Sequence, residues 1–216
     1  MLKAILGVRM TTVSDLLYIE LGVCSIKTQV LMKQLKFGKK VMELDDADPL
    51  AYVVSEAKRY KMKEIKHYEQ LLMSFTTVHD IKKKFTEDTK ARIRSNAEKS
   101  RSKYKTYLTI NPDLESPRVF EKLYQHKDIS MISKLRVSSH NLQIEMGRRT
   151  GTKVEDRKCH CGEVEDEQHF LLHCNTYLDI RNKYNIQNTN ITKILDDSKF
   201  IQYIEQLYLR RSEANA

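Results

Sequence analysis

Three of the four cysteines in this 216-residue chain fall within CHCGEVEDEQHFLLHC, residues 159–174, with His160, His169 and His173 among them. The spacing is Cys159-x-Cys161-x7-His169-x4-Cys174. Thiolate and imidazole are the donors a tetrahedral Zn²⁺ ion prefers, and structural zinc sites pair a tight cysteine turn with a nearby His/Cys pair. Gly162 directly after the second cysteine suits such a turn, which often needs positive φ. One detail is unusual: a single residue, His160, separates the first two thiols, where two or more is the commoner count.

The fourth ligand is left open by helix geometry. Glu163, Glu165, Asp166 and Glu167 suit the first turn of a helix running through His169. On a regular helix His169 and His173 share a face, whereas Cys174 lies roughly 140° round. Cys174 therefore joins His169 only if the helix starts late or distorts. Thiolate is the stronger ligand, so Cys174 is preferred to His173. The plainer reading of the same segment is a small helix with Phe170, Leu171, Leu172 and Cys174 in its core.

Composition points to helices with short loops. Gly (6) and Pro (3) are scarce and charged residues make up 31%, a mix unlike that of a sandwich or barrel. The expected fold class is mainly α: an irregular multi-helix domain over 1–110, then a helical zinc-knuckle domain over 111–216. No stretch approaches the roughly 18 consecutive apolar residues of a membrane span. The N-terminal MLKAILGVRMTTVSD lacks the apolar core and cleavage site of a signal peptide. Cysteines clustered with histidines suggest an intracellular zinc site in place of disulfides, and Cys24 reads as a small buried hydrophobe.

Along the chain, Thr12 or Ser14 is a candidate N-cap for a helix that Gly22 ends. Ser25 caps the next, with Gly38 as a weak point. Pro49 suits the first turn of a third, which makes Asp45, Asp46 and Asp48 capping and solvated residues and not a metal-binding polymerase site. Ser116 is expected to cap a short helix, and Gly147 to end a later one.

The net charge of +9 is unevenly spread. Residues 1–110 hold 22 Lys/Arg against 13 Asp/Glu, while 111–216 hold 16 of each. Ile81 to Lys105 alone holds 10 basic and 3 acidic residues. Such clustering is the electrostatic footprint of a phosphate-bearing partner. Lys82, Lys83, Lys84, Arg92, Arg94, Arg101 and Lys103 are the candidate phosphate-binding residues, with Arg148, Arg149, Arg157 and Lys158 beside the knuckle. Tyr104 and Tyr107 are candidates for stacking on bases. No Gly-rich phosphate loop, Ser/His/Asp arrangement or paired carboxylates assigns a reaction.

The run KLRVSSHNLQIEMGRRTGTKVEDRKCHCGEVEDEQHFLLHCNTYLDIRNKY resembles the C-terminal region of LINE-type (non-LTR) retrotransposon reverse transcriptases. The match rests on Leu135, Arg136, His140, Leu142, Ile144, Glu145, Gly147 and Arg148. It continues through Arg157, Cys159, Cys161, Glu165 to Glu167, His169, Phe170, Leu171, Cys174, Tyr177 and Arg181. The N-terminal LGVRMTTVSDLLYIELG is similar to the segment after the polymerase thumb in that family. The resemblance is specific over 133–184 and looser over 5–60. It implies that Cys174 completes a Cys/Cys/His/Cys site. With no aromatic-x-Asp-Asp motif and 42 residues after Cys174, it also implies a C-terminal piece without catalysis. The expected function is a zinc-stabilised module that binds nucleic acid, RNA more than DNA, with other parts of a retroelement ribonucleoprotein as further candidate partners. The other reading is a helical scaffold for a protein partner.

Overall fold

The computed structural model describes residues 1–45, 47–99, 103–122, 125–187 and 189–214. The chain is mainly α-helical. Among the described residues the β-structure is one antiparallel bridge, Lys158 with Val164. No helix there is long and apolar enough to cross a membrane.

The helices are α1 (Leu2–Ile5), α2 (Ser14–Leu21), α3 (Ile26–Met42), α4 (Pro49–Arg59), α5 (Lys63–Ser74), α6 (Val78–Lys99), α7 (Lys103–Ile110), α8 (His126–Arg136), α9 (Gln143–Thr150), α10 (Leu178–Lys183), α11 (Ile191–Ile194) and α12 (Ile201–Ala214). Several boundaries fall where local chemistry requires. Gly22 takes the left-handed conformation after α2. The Ser25 hydroxyl accepts a bond from the Thr28 N–H and caps α3. Asp48 caps α4 with Pro49 in its first turn, and Asp45 accepts from the Ala47 N–H; Asp46 lies outside the described residues. Other expectations need correction. Val13 holds the N-cap position of α2, because Thr12 is buried against Ser139. Ser116 donates to the Glu20 carbonyl and does not cap the short 3-10 turn at Arg118–Glu121. Gly147 lies inside α9, and Gly151 ends that helix at φ 73°. A Cβ at Gly147 would sit 2.5 Å from Arg157 Cγ, so the glycine admits the arginine stem.

The chain forms two compact units, Met1–Gly22 with Ile93–Ala216, and Val23–Arg92. This division differs from the expected 1–110 and 111–216 halves. The first 22 residues join the C-terminal part through packing that no local pattern announces.

In the Val23–Arg92 unit, Leu35, Leu71 and Ile81 form a small core with Leu31, Met32, Leu72, Phe75 and Val78 around it. Here α3 packs on α4 and α5. Gly38 lies against the Tyr68 ring, where a Cβ would be 3.1 Å from Cδ1; its small size serves this approach, and α3 runs through it unbroken.

The discontinuous unit has two buried clusters. One joins Leu6, Leu16 and Leu17 to Ile93, Tyr107, Leu114 and Val137. The other surrounds Phe170 and Leu171 with residues from α7 to α12, and includes Cys159 and Cys174. A buried ion pair crosses the first. Arg136 donates from Nε to Glu20 Oε2 at 2.7 Å and from Nη2 to Oε1 at 3.0 Å. Tyr107 donates its hydroxyl to Glu20 Oε1 at 2.7 Å, and the Asn111 amide donates to Tyr107. Burial opposes the Arg136 charge, but Glu20 outweighs it and holds the guanidinium above its usual pKa.

Because a buried charge left alone retains its desolvation cost, Arg136→Leu is expected to destabilise the chain by about 3–5 kcal/mol. The double change Glu20→Leu with Arg136→Leu should recover much of that loss. Urea unfolding of the two variants checks both parts, and a double variant no more stable than Arg136→Leu would contradict the assignment.

Candidate metal centre

The cysteine turn is a minimal hairpin. The Glu165 N–H donates to the Arg157 carbonyl at 2.9 Å, and the Cys159 N–H to the Glu163 carbonyl at 2.7 Å. The Gly162 N–H closes the turn on the Cys159 carbonyl at 2.9 Å. Gly162 adopts φ 96° as the turn requires. Arg157 fixes the hairpin from outside, donating to the carbonyls of Thr152 and Ile144.

The second pair of donors comes from a distorted helix. Asp166 accepts from the His169 N–H at 2.7 Å and caps its start. From His169 to His173 the backbone is π-helical, and the Cys174 N–H donates to the His169 carbonyl at 2.8 Å, five residues back. This wider turn removes the angular offset that separates positions five apart on an α-helix. His169 and Cys174 thereby reach one site, and His173 is exposed. The carbonyls a π-turn leaves over are met by side chains. Buried Arg181 donates to the Cys174 carbonyl at 2.6 Å, and Tyr203 donates to the Leu171 carbonyl.

Cys159, Cys161, His169 and Cys174 converge, with all four donor atoms within 4.8 Å of one another. Cys159 and Cys174 Sγ lie 3.6 Å apart, and Cys161 Sγ lies 3.2 Å from His169 Nε2. The first distance is far beyond a disulfide bond of about 2.05 Å. Both approach the roughly 3.6–3.8 Å edges of a tetrahedron built with ordinary Zn–S and Zn–N bonds. The group could therefore hold a metal ion. Cys159 and Cys174 are buried in the core, while Cys161 is exposed and His169 half-buried. Burial lowers the His169 pKa against Asp166, Glu165 and Glu163, which favours the neutral, ligating imidazole. Burial pushes the Cys159 thiol up to about 12, so a bound cation is what would draw out its thiolate.

The acidic run behind the site is buried and paired. Glu165 receives two bonds from Arg211, at 2.6 and 2.9 Å, and one from the Gln143 N–H at 2.7 Å. Glu167 receives the Ser138 hydroxyl and His140 Nε2, each at 2.8 Å. The Leu142 N–H donates to His140 Nδ1 at 3.2 Å, so the ring proton sits on Nε2. Burial raises the Glu167 pKa, but His140 and Ser138 outweigh it and hold the carboxyl below the usual range. Residue type and spacing do not single out Glu165, Glu167, Arg181 and Arg211 as site residues. Arg211 has no local signal, since its partner is 46 positions away.

The expected nucleic-acid residues divide by burial. Lys82, Lys83, Lys84, Arg92, Arg94, Arg149 and Lys158 are exposed. Arg101 lies outside the described residues. Tyr107 is fully buried against Glu20 and does not present a ring for stacking. Tyr104 is half-buried against the same core. Arg157 is spent on the carbonyls of Thr152 and Ile144. Lys103 donates to the Ser138 carbonyl at 2.7 Å and pairs with Glu145 at 3.0 Å, and Arg148 pairs with the same Glu145. These side chains act inside the fold because buried carboxylates and carbonyls take up their donors. Comparison with protein-family models, with curated proteins and with solved structures returns no significant match.

Burial, then the cations Arg148 and Arg9, lowers the Lys103 pKa to about 8. An unfolded lysine titrates near 10.4, so between these values the unfolded state binds the extra proton. Lys103 should therefore add stability as pH rises through that window, and the increment should vanish in Lys103→Met. NMR titration of the lysine side chains reads the value directly; an ordinary lysine pKa at Lys103 would contradict it. Metal retention gives a second test. Cys174→Ser should lose a bound ion that His173→Ala keeps, as measured by mass spectrometry after dialysis.

Proposed function

We propose that the chain is a non-catalytic, zinc-stabilised nucleic-acid-binding module related to the C-terminal region of LINE-type reverse transcriptases. The observation that carries this is the convergence of three thiols and one imidazole on a single point. Zn²⁺ is the ion whose preferred donors and geometry best suit that set. Four protein ligands leave no open position for water, so the ion's role is structural. Cys159 and Cys174 would tie it to the core, with Cys161 and His169 completing its shell.

The resemblance gains support from what its residues do. Arg136, His140, Glu145, Arg157, Glu165, Glu167 and Arg181 all hold the hairpin, the π-turn or the buried core beneath them. These are framework roles, which a family pattern can share without sharing a reaction. The nucleic-acid reading rests on exposed cations, chiefly Lys82, Lys83, Lys84 and Arg92 in the Val23–Arg92 unit. Arg94, Arg149 and Lys158 are exposed in the other unit.

One observation favours a protein-binding scaffold instead. Helix α4 buries no residue and exposes Leu50, Tyr52 and Val53. Salt separates the readings, because phosphate neutralisation releases counterions and apolar docking does not. Binding of single-stranded RNA is expected to weaken steeply with salt. Lys82/Lys83/Lys84→Gln should reduce the log–log slope by about 2, at roughly 0.7 for each phosphate that the variant no longer neutralises. A variant that binds with unchanged affinity and slope would end the phosphate-binding role of α6, and a parent chain that retains no RNA would leave the scaffold.

A further inference from the structure

We infer that the surface formed by α3 and α5 is a stacking platform for single-stranded nucleic acid, centred on Phe37, Tyr68 and His67. This rests on the nucleic-acid reading above and gives it a base-stacking site, since Tyr107 is buried and Tyr104 half-buried.

Phe37 is 55% exposed in the C-terminal half of α3. Its ring centroid lies 5.7 Å from that of Tyr68, and the Tyr68 ring lies 5.7 Å from that of His67. Gly38 makes the cluster possible. Having no Cβ, it lets Tyr68 settle against α3, which brings that ring beside Phe37. An aromatic ring left in water by such an arrangement offers a π-face to any base, without regard to sequence.

The charge around the rings selects the occupant. Helix α3 carries five lysines and no acidic residue over Ile26–Met42. Lys33 and Lys40 stand four before and three after Phe37, the spacings that share a helix face, and Lys36 adjoins it. All three are exposed. Among the described residues none of them has an ion-pair partner. Helix α5 contributes Lys63 and Lys66 against Glu64 and Glu69, so the cationic excess belongs to α3. An uncovered apolar ring would suit a protein partner equally well. Rings flanked by unpaired lysines suit a strand whose bases stack while its phosphates meet the amines. Duplex, with its bases already stacked on each other, fits poorly.

The test uses the full chain, a fluorescent 15-nucleotide oligo(U) and the same length of duplex RNA, with anisotropy read across a salt series. Phe37→Ala is expected to weaken oligo(U) binding roughly ten-fold while leaving the salt slope unchanged, and Phe37→Trp to retain affinity. Lys33/Lys36/Lys40→Gln should instead lower the slope by about 2. Duplex should bind more weakly than oligo(U) and be insensitive to Phe37→Ala. These three lysines are exposed, so their variant decides the matter even where Phe37→Ala perturbs folding. If oligo(U) binds the parent, Phe37→Ala and the lysine variant alike, the platform is overturned and the α6 cations remain. If the parent does not bind, the platform and the nucleic-acid reading fall together.

Discussion

The hydrogen bond from the Cys174 N–H to the His169 carbonyl spans five residues, and the candidate metal centre depends on it. With the usual four-residue ladder the same sequence would turn His173 toward Cys161 and leave Cys174 on another side. A π-turn is rarely stable by itself. Here Arg181 and Tyr203 satisfy carbonyls of the distorted segment, while Phe170 and Leu171 anchor it in the core. The second pair of donors is thus positioned by α10 and α12 as much as by its own segment.

Around that turn the fold uses buried ions in place of a purely apolar frame. Glu20 with Arg136, Glu165 with Arg211, and Glu145 with Lys103 each join parts of the chain distant in sequence. Every such charge is costly to bury alone and tolerable only with good geometry. The arrangement therefore favours one register among the many that short helices of similar composition allow.

What the sequence reveals follows the range of the interactions. Gly22, Ser25 and Pro49 act on neighbours a few residues away, and their roles are legible. So is the group of three thiols and one imidazole that could hold a metal ion, because such side chains gathered within one short segment have few other uses. The choice between His173 and Cys174 requires the backbone distortion, which depends on Arg181 and Tyr203. Tyr107, Lys103 and Arg157 have the chemistry for nucleic acid, but residue type does not show burial. Gly147 resembles a helix end because its partner, Arg157, comes from a separate turn. The N-terminal segment falls in the wrong half of a two-part division for the same reason: Glu20 finds Arg136 116 residues later.

That separation has a consequence during synthesis. The Val23–Arg92 unit is contiguous, so it can begin to fold as soon as it clears the ribosome. The N-terminal segment cannot complete its own packing until Arg136 has been made, an interval of about 6–23 s at ordinary translation rates. Throughout that time Glu20 lacks its guanidinium, and Leu6, Leu16 and Leu17 lack the Val137 side of their core. The nascent chain thus carries a waiting apolar segment ahead of one that can already fold, and the order of folding runs opposite to the order in which these two pieces are made.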